Sequence, residues 1–128
     1  MTPEQRAAQV RLVVLDVDGV LTDGRLYYGP QGEALKVFDV RDGHGIKMLL
    51  GHGIDVAILS ARTSPIVAQR ARELGISRVL QGRGDKAAGF RELLDGSNVA
   101  AAETAFVGDD LPDLPVLLQA GFAATVDD

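Results

Sequence analysis

The sequence of 128 residues contains no cysteine, so it offers neither a disulfide framework nor thiol chemistry. Basic residues are also scarce: 13 lysines and arginines face 18 aspartates and glutamates, leaving a net charge of −5. With no basic stripe to neutralise a phosphate backbone, a nucleic-acid partner is not expected. A small phosphorylated ligand needs only a few placed cations, and the charge does not argue against one. No apolar run approaches a membrane span, and residues 1–11 lack the apolar core of a signal peptide. Neither a membrane nor secretion is expected, and the predicted localisation is cytoplasmic. Repeats, low-complexity tracts and linkers are missing too, so residues 1–128 read as one domain, long enough to bury a core.

What the chain does carry is a short apolar run that ends in acid. Val13-Val14-Leu15 is too short for a helix and rich in β-branched residues, which reads as a buried strand. It continues into Asp16-Val17-Asp18-Gly19-Val20-Leu21-Thr22. Neighbouring side chains of a strand point to opposite faces, so Asp16 and Asp18 are expected on one face at the strand's carboxyl end. Two like charges so close repel unless something positive holds them. A hard divalent cation such as Mg²⁺, bound through one or two carboxylates plus substrate phosphate, meets that need. Gly19 lets the chain turn away without a Cβ clash.

Residues 24–38 then read as a β-hairpin, with Leu26-Tyr27-Tyr28 and Ala34 to Phe38 as arms around Gly29-Pro30-Gln31-Gly32. Carrying two tyrosines, it either packs on another subunit or folds over its own core. Asp42-Gly43-His44-Gly45 opens a short helix over 46–50. Residues 55–59 are a second buried strand running into Ser60-Ala61-Arg62. Ser64 and Pro65 are an N-cap and a first-turn proline of a helix that Gly75 closes. Residues 76–80 give a third strand, and Asp85 caps a helix with Lys86 in its first turn. Residues 104–107 give a fourth strand, which runs into Gly108-Asp109-Asp110-Leu111-Pro112-Asp113. A helix starts near Asp113 and ends at Gly121, before a fifth strand over 122–126. Such alternation predicts an α/β fold: a Rossmann-like α/β/α sandwich with a mostly parallel sheet of five core strands and a protruding hairpin.

Ligands of such sheets bind outside the carboxyl ends of the strands. Asp16, Asp18, Ser60, Arg62, Lys86, Asp109, Asp110 and Asp113 all fall there, which suits phosphoryl transfer from a monoester. Asp16 is the expected nucleophile, splitting one hard step into two through an aspartyl-phosphate. Asp18 is placed to protonate the leaving alkoxide and then to activate water. Mg²⁺ held by Asp16, the Asp18 carbonyl and Asp109 would neutralise charge, while Ser60 and Lys86 hold the phosphoryl oxygens. The demand is large, since enzymes accelerate phosphate-monoester hydrolysis up to ~10²¹-fold.

The strings around Asp16, Ser60, Lys86 and Asp109 resemble the four motifs of the haloacid dehalogenase superfamily. Over nearly all its length the chain resembles the cap-less 3-deoxy-D-manno-octulosonate 8-phosphate phosphatases. The matching stretches are Asp18-Gly19-Val20-Leu21-Thr22-Asp23-Gly24, Gly32-Glu33, Asp42-Gly43-His44-Gly45-Ile46, Gln81-Gly82, Asp85-Lys86 and Gly108-Asp109-Asp110-Leu111-Pro112-Asp113-Leu114-Pro115-Val116. Phosphatases of nonulosonate 9-phosphates share most of them. The resemblance implies a sugar-acid phosphate as substrate and a role in lipopolysaccharide precursor synthesis. It also implies a homotetramer whose hairpins meet at the centre, each subunit roofing a neighbour's site. Asp18, Asp39, Val40, Arg41, Asp42, Gly43, Arg62, Arg70 and Lys86 are thereby expected to line the substrate pocket. Guanidinium forks at Arg62 and Arg70 suit an acidic sugar, because they pair bidentately with carboxylate.

Two departures stand out. Ser60-Ala61 replaces the family's usual threonine-glycine but retains the hydroxyl, and the sequence ends at Asp128, where the family continues through a helix and a glycine- and arginine-containing tail. Among lesser candidates, Glu33 is expected at a subunit contact, Asp110 as an outer support or a cap, and Asp113 at the metal through water. His44, beside the pocket, and His52, Arg72, Arg78 and Arg83 read as surface residues. A receiver domain is the first rival reading, but no later strand ends in a phosphate-accepting aspartate. An idle assembly domain is the second, and the intact Asp16/Asp18/Lys86/Asp109 set argues against it.

Overall fold

The computed structural model describes residues 1–109 and 113–126. The acidic stretch grows out of β1 (Leu12–Leu15), which lies at the centre of a five-stranded parallel sheet. β1 pairs on one side with β4 (Asp55–Leu59), register Leu12 to Asp55, and on the other with β6 (Thr104–Val107), Leu12 to Thr104. β5 (Arg78–Leu80) and β7 (Phe122–Ala124) complete the order β5-β4-β1-β6-β7. The hairpin forms its own two-stranded sheet, β2 (Tyr27–Gly29) against β3 (Gly32–Leu35), turning at residues 30 and 31 as expected. A capped helix not anticipated from the sequence, α1 (Pro3–Ala7), precedes the sheet.

Strand periodicity sorts the side chains into two cores. Leu15, Val56 and Ile58 face α2 (Val40–Gly51) and α3 (Pro65–Leu74) and meet Ile46, Val67, Ala71 and Leu74. Leu12, Val14, Ala57, Leu59 and Phe106 face the opposite layer, α4 (Lys86–Asp95) and α5 (Leu114–Leu117), and meet Phe90, Leu93 and Val116. By the same alternation Asp16, next after Leu15, falls on the α4 side, where Lys86 stands. Helices on both faces of the sheet make the predicted α/β/α sandwich.

Several boundaries differ from the sequence reading. Helix α2 starts at Val40 rather than 46, because the Asp39 side chain caps it by accepting from the Arg41 N–H. Gly43 and Gly45 weaken that turn locally by roughly 1 kcal/mol each. Tertiary packing overrides this: a Cβ at Gly43 would stand 2.5 Å from the Arg70 guanidinium and 3.0 Å from Leu74, so glycine lets α2 and α3 close up. The third and fifth strands are shorter than expected, and α5 has only four residues. Among the described residues, no helix is long and apolar enough to cross a membrane.

Candidate active site

Asp16 and Asp18 leave β1 differently from the expectation of one shared strand face. The Val17 carbonyl accepts from the N–H groups of Val20, Leu21 and Thr22 at 3.1, 2.9 and 3.2 Å, so the chain coils as soon as it passes Asp16. Asp18 therefore sits in a turn rather than in a strand. Both carboxylates nonetheless line one cleft of about 250 Å³, together with Gly19, Gly24, Ser60, Ala61, Arg62, Lys86, Asp109 and Asp113. The turn depends on Gly19, whose φ of +85° is unfavourable for any residue with a side chain. A Cβ there would also run into the Asp109 carboxylate.

On the α4 side of the cleft lies a buried ionic group. Lys86 Nζ lies 3.0 Å from Asp16 Oδ2 and donates to Asp113 Oδ1 at 2.7 Å. Burial works against the Lys86 charge, but the hydrogen bonds and charges of Asp113 and Asp16 outweigh it and hold the ammonium above its ordinary pKa. Burial pushes the Asp16 carboxyl up, Lys86 and the Val17 N–H pull it down, and the charge of Asp113 adds to the rise; the net direction is upward. Asp113 is fully buried, and its Oδ2 accepts from the Asp109 N–H at 3.2 Å. It thus ties the loop after β6 to the start of α4. Gly108 makes room for it, since a Cβ there would lie 2.5 Å from Asp113 Oδ2.

Oxygens of Asp16, Asp109 and Asp113 lie within 4.8 Å of one another. Three carboxylates at that spacing are a donor set suited to a hard divalent cation. Asp16 and Asp109 were expected as direct ligands and Asp113 at the metal through water; in the fold the Asp113 carboxylate stands beside the other two. Asp110 lies outside the described residues.

On the hairpin side a second ionic chain closes the cleft. Lys36 Nζ donates to Asp18 Oδ1 at 2.7 Å and to Glu33 Oε2 at 2.9 Å. Arg62 approaches Asp18 Oδ2 at 4.0 Å and Glu33 Oε2 at 3.7 Å. Glu33, expected at a subunit contact, is thus paired within its own chain. Ser60 is buried at the end of β4, and its Oγ accepts from the Arg62 N–H at 3.3 Å. The Gln81 side chain clamps the following loop, accepting from the Ser64 N–H at 2.8 Å and donating to the Ser64 carbonyl at 3.1 Å.

Of the expected pocket residues, Asp18, Arg62 and Lys86 line this cleft, while Asp39, Val40, Arg41, Asp42, Gly43 and Arg70 lie outside it. Asp39 and Asp42 border a neighbouring depression with residues 20–23, Val37 and Phe38. Asp42, Gly43 and Arg70 line a narrow crevice beside Phe38, whose ring centroid is 6.0 Å from the Arg70 guanidinium. The Arg41 side chain stands in solvent and pairs with Asp39 at 3.0 Å, holding that carboxyl below its usual pKa. Sequence reasoning missed Lys36 altogether. No local pattern distinguishes it from a solvated hairpin lysine, because its partner Asp18 lies on another element.

No family model matches the chain. Over 124 residues, 97% of the chain, it is 47% identical to the 3-deoxy-D-manno-octulosonate 8-phosphate phosphatase of Yersinia pestis, and it spans 66% of that protein's length. The cobalt-bound deoxy-D-mannose-octulosonate 8-phosphate phosphatase of Haemophilus influenzae superposes with a TM-score of 0.94 at 45% identity, covering 97% of this chain and 72% of that one. The Moraxella catarrhalis 3-deoxy-D-manno-octulosonate 8-phosphate phosphatase, solved with magnesium, phosphate and the sugar acid, superposes with a TM-score of 0.92 at 40% identity over 96% and 71% of the two chains. With this agreement in sequence and fold, the chain belongs to the 3-deoxy-D-manno-octulosonate 8-phosphate phosphatase family of the haloacid dehalogenase superfamily.

Proposed function

We propose that the chain is a Mg²⁺-dependent phosphatase that hydrolyses the phosphate monoester of a 2-keto-3-deoxy sugar acid, 3-deoxy-D-manno-octulosonate 8-phosphate, through an aspartyl-phosphate. The observation that carries the proposal is the convergence of Asp16, Asp18, Ser60, Lys86 and Asp109 on one cleft at the carboxyl ends of the sheet. The sugar acid present in the Moraxella catarrhalis structure and the substrate for which the Yersinia pestis relative is named add the sugar acid. Asp16 attacks phosphorus, and the bond to the sugar oxygen breaks as Asp18 gives that oxygen a proton. Asp18 then takes a proton from water, which attacks phosphorus and releases inorganic phosphate with Asp16 restored. Lys86, bridging Asp16 and Asp113, and Ser60 hold the phosphoryl oxygens. Asp16, Asp109 and the Asp18 carbonyl would hold Mg²⁺, with Asp113 close by, and the ion would supply positive charge against the incoming phosphate.

Arg62 takes the substrate carboxylate from within the cleft. Asp39–Gly43 and Arg70 lie outside their own chain's cleft and serve the pocket from a neighbouring subunit of a homotetramer. Exposed Leu26, Tyr28, Leu35 and Val37 on and beside the hairpin, with Val40, supply the apolar surface for that assembly. Residues 1–128 work as one cytoplasmic catalytic domain, in lipopolysaccharide precursor synthesis.

The test is phosphate release from the octulosonate 8-phosphate and a nonulosonate 9-phosphate, with Mg²⁺ and with chelator. Metal-dependent release favouring the eight-carbon ester is expected, falling to background for Asp16→Asn. Preference for the nine-carbon ester would keep the chemistry and change the substrate. Release from neither would return the chain to an idle assembly domain.

A further inference from the structure

The hairpin carries a contact that the phosphatase chemistry leaves without a use. Lys36 follows β3 with its side chain only 2% exposed, and an ammonium so placed is costly unless paired. Its Nζ is shared between Asp18 Oδ1 at 2.7 Å and Glu33 Oε2 at 2.9 Å. Burial opposes the charge, the two carboxylates outweigh it, and the Lys36 pKa is raised. Asp18 Oδ1 is therefore committed to the hairpin. Oδ2, facing Arg62 at 4.0 Å, is the oxygen left to meet a substrate.

A group that moves a proton works only when held within hydrogen-bond reach and in the right orientation. We infer that Lys36 is a positioning residue: it fixes the Asp18 carboxylate by Oδ1, leaves Oδ2 as the proton-carrying atom, and makes the hairpin a working part of its own chain's cleft. The inference rests on the phosphatase reading, in which Asp18 is the acid and base. Glu33 supports it from the far side of Lys36, and also lies 3.7 Å from Arg62, so the ionic chain runs from Asp18 through the hairpin to the end of β4.

The experiment measures phosphate release by the wild type, Lys36→Met, Lys36→Arg, Asp18→Asn and the Lys36→Met/Asp18→Asn pair. The substrates are the octulosonate 8-phosphate and p-nitrophenyl phosphate, whose leaving group departs with little help from an acid. On the sugar ester, Lys36→Met is expected to lower kcat about 10- to 100-fold, a part of the general acid–base contribution, with KM changed by less than about threefold. Lys36→Arg restores most of the loss. On the aryl ester a loss of at least about threefold remains, because water attack on the aspartyl-phosphate still needs Asp18 as base. Added to Asp18→Asn, Lys36→Met costs nothing further, since both act through one group.

An unchanged kcat overturns the inference. So does a rise in KM alone, which would make Lys36 a substrate contact. A full multiplicative loss in the Asp18→Asn background does so too, marking general damage to the hairpin. If the wild type cleaves only the aryl ester, the sugar-acid reading fails while the Lys36 comparison is still decided on that ester. If it cleaves neither, both readings fall.

Discussion

Gly19 is where local backbone and distant side chain impose the same requirement. Its φ of +85° costs an L-residue roughly 1–2 kcal/mol, and any Cβ would displace the Asp109 carboxylate from the cleft. Gly19→Ala should therefore lower the thermal midpoint and raise by at least about tenfold the Mg²⁺ concentration for half-maximal activity, roughly the effect of 1.4 kcal/mol lost at the ion's site. Melting curves and a Mg²⁺ titration check this, and an unchanged requirement for the ion would show that Asp109 adjusts. Asp113 illustrates the same scale. Without it, Lys86 would be left with one carboxylate, and the Asp109 N–H would lose its acceptor.

At the scale of elements, the sheet edge gathers the candidate site and the hairpin closes one side of it. The carboxyl ends of β1, β4 and β6 bring Asp16, Ser60 and Asp109 to one edge without any residue of the cleft belonging to a strand interior. The hairpin is different, because strands of three and four residues rarely stabilise a ribbon alone. Its inner side is held by the Lys36 and Glu33 ion pairs, while Tyr28 at 66% and Val37 at 50% exposure face outward. If that outer side is a subunit contact, Tyr28→Ser combined with Val37→Ser should shift the particle mass in sedimentation from that of a tetramer toward that of a monomer. Retention of the wild-type mass would place the contact elsewhere.

For the whole molecule, the buried lysines make stability dependent on alkaline pH. The folded-state pKa values of Lys86 and Lys36 both lie above the ordinary lysine value of 10.5. The stability they contribute is complete below 10.5 and is lost as pH rises through their raised values, because the folded state then gives up protons it had held more tightly than the unfolded chain. The urea midpoint should fall across that range. Lys86→Met should start lower, by about 3 kcal/mol for two buried carboxylates left without their partner, and fall less steeply. Denaturation curves at several pH values would show both effects, and parallel slopes for wild type and variant would remove Lys86 as the source.

Legible in the sequence were the order of strands and helices from β1 onward, the caps at Ser64 and Asp85, and the presence of Asp16, Asp18, Ser60, Lys86 and Asp109 at one edge of a parallel sheet. Those features follow from periodicity and from punctuation by glycine, proline and capping residues, all of which act over a few neighbouring positions. Only the folded structure decided the rest. It coiled the chain after Asp16 so that Asp18 left the strand, and extended α2 back to Val40 through two glycines. It brought Asp113 to Lys86 and Lys36 to Asp18, and set Asp39–Gly43 and Arg70 apart from their own cleft. The Lys86–Asp113 and Lys36–Asp18 pairs and the close approach of α2 to α3 at Gly43 depend on residues far apart in the chain, whose distance and burial set the energy, whereas the turn after Asp16 and the Asp39 cap are local hydrogen bonds that hydrophobic periodicity does not register.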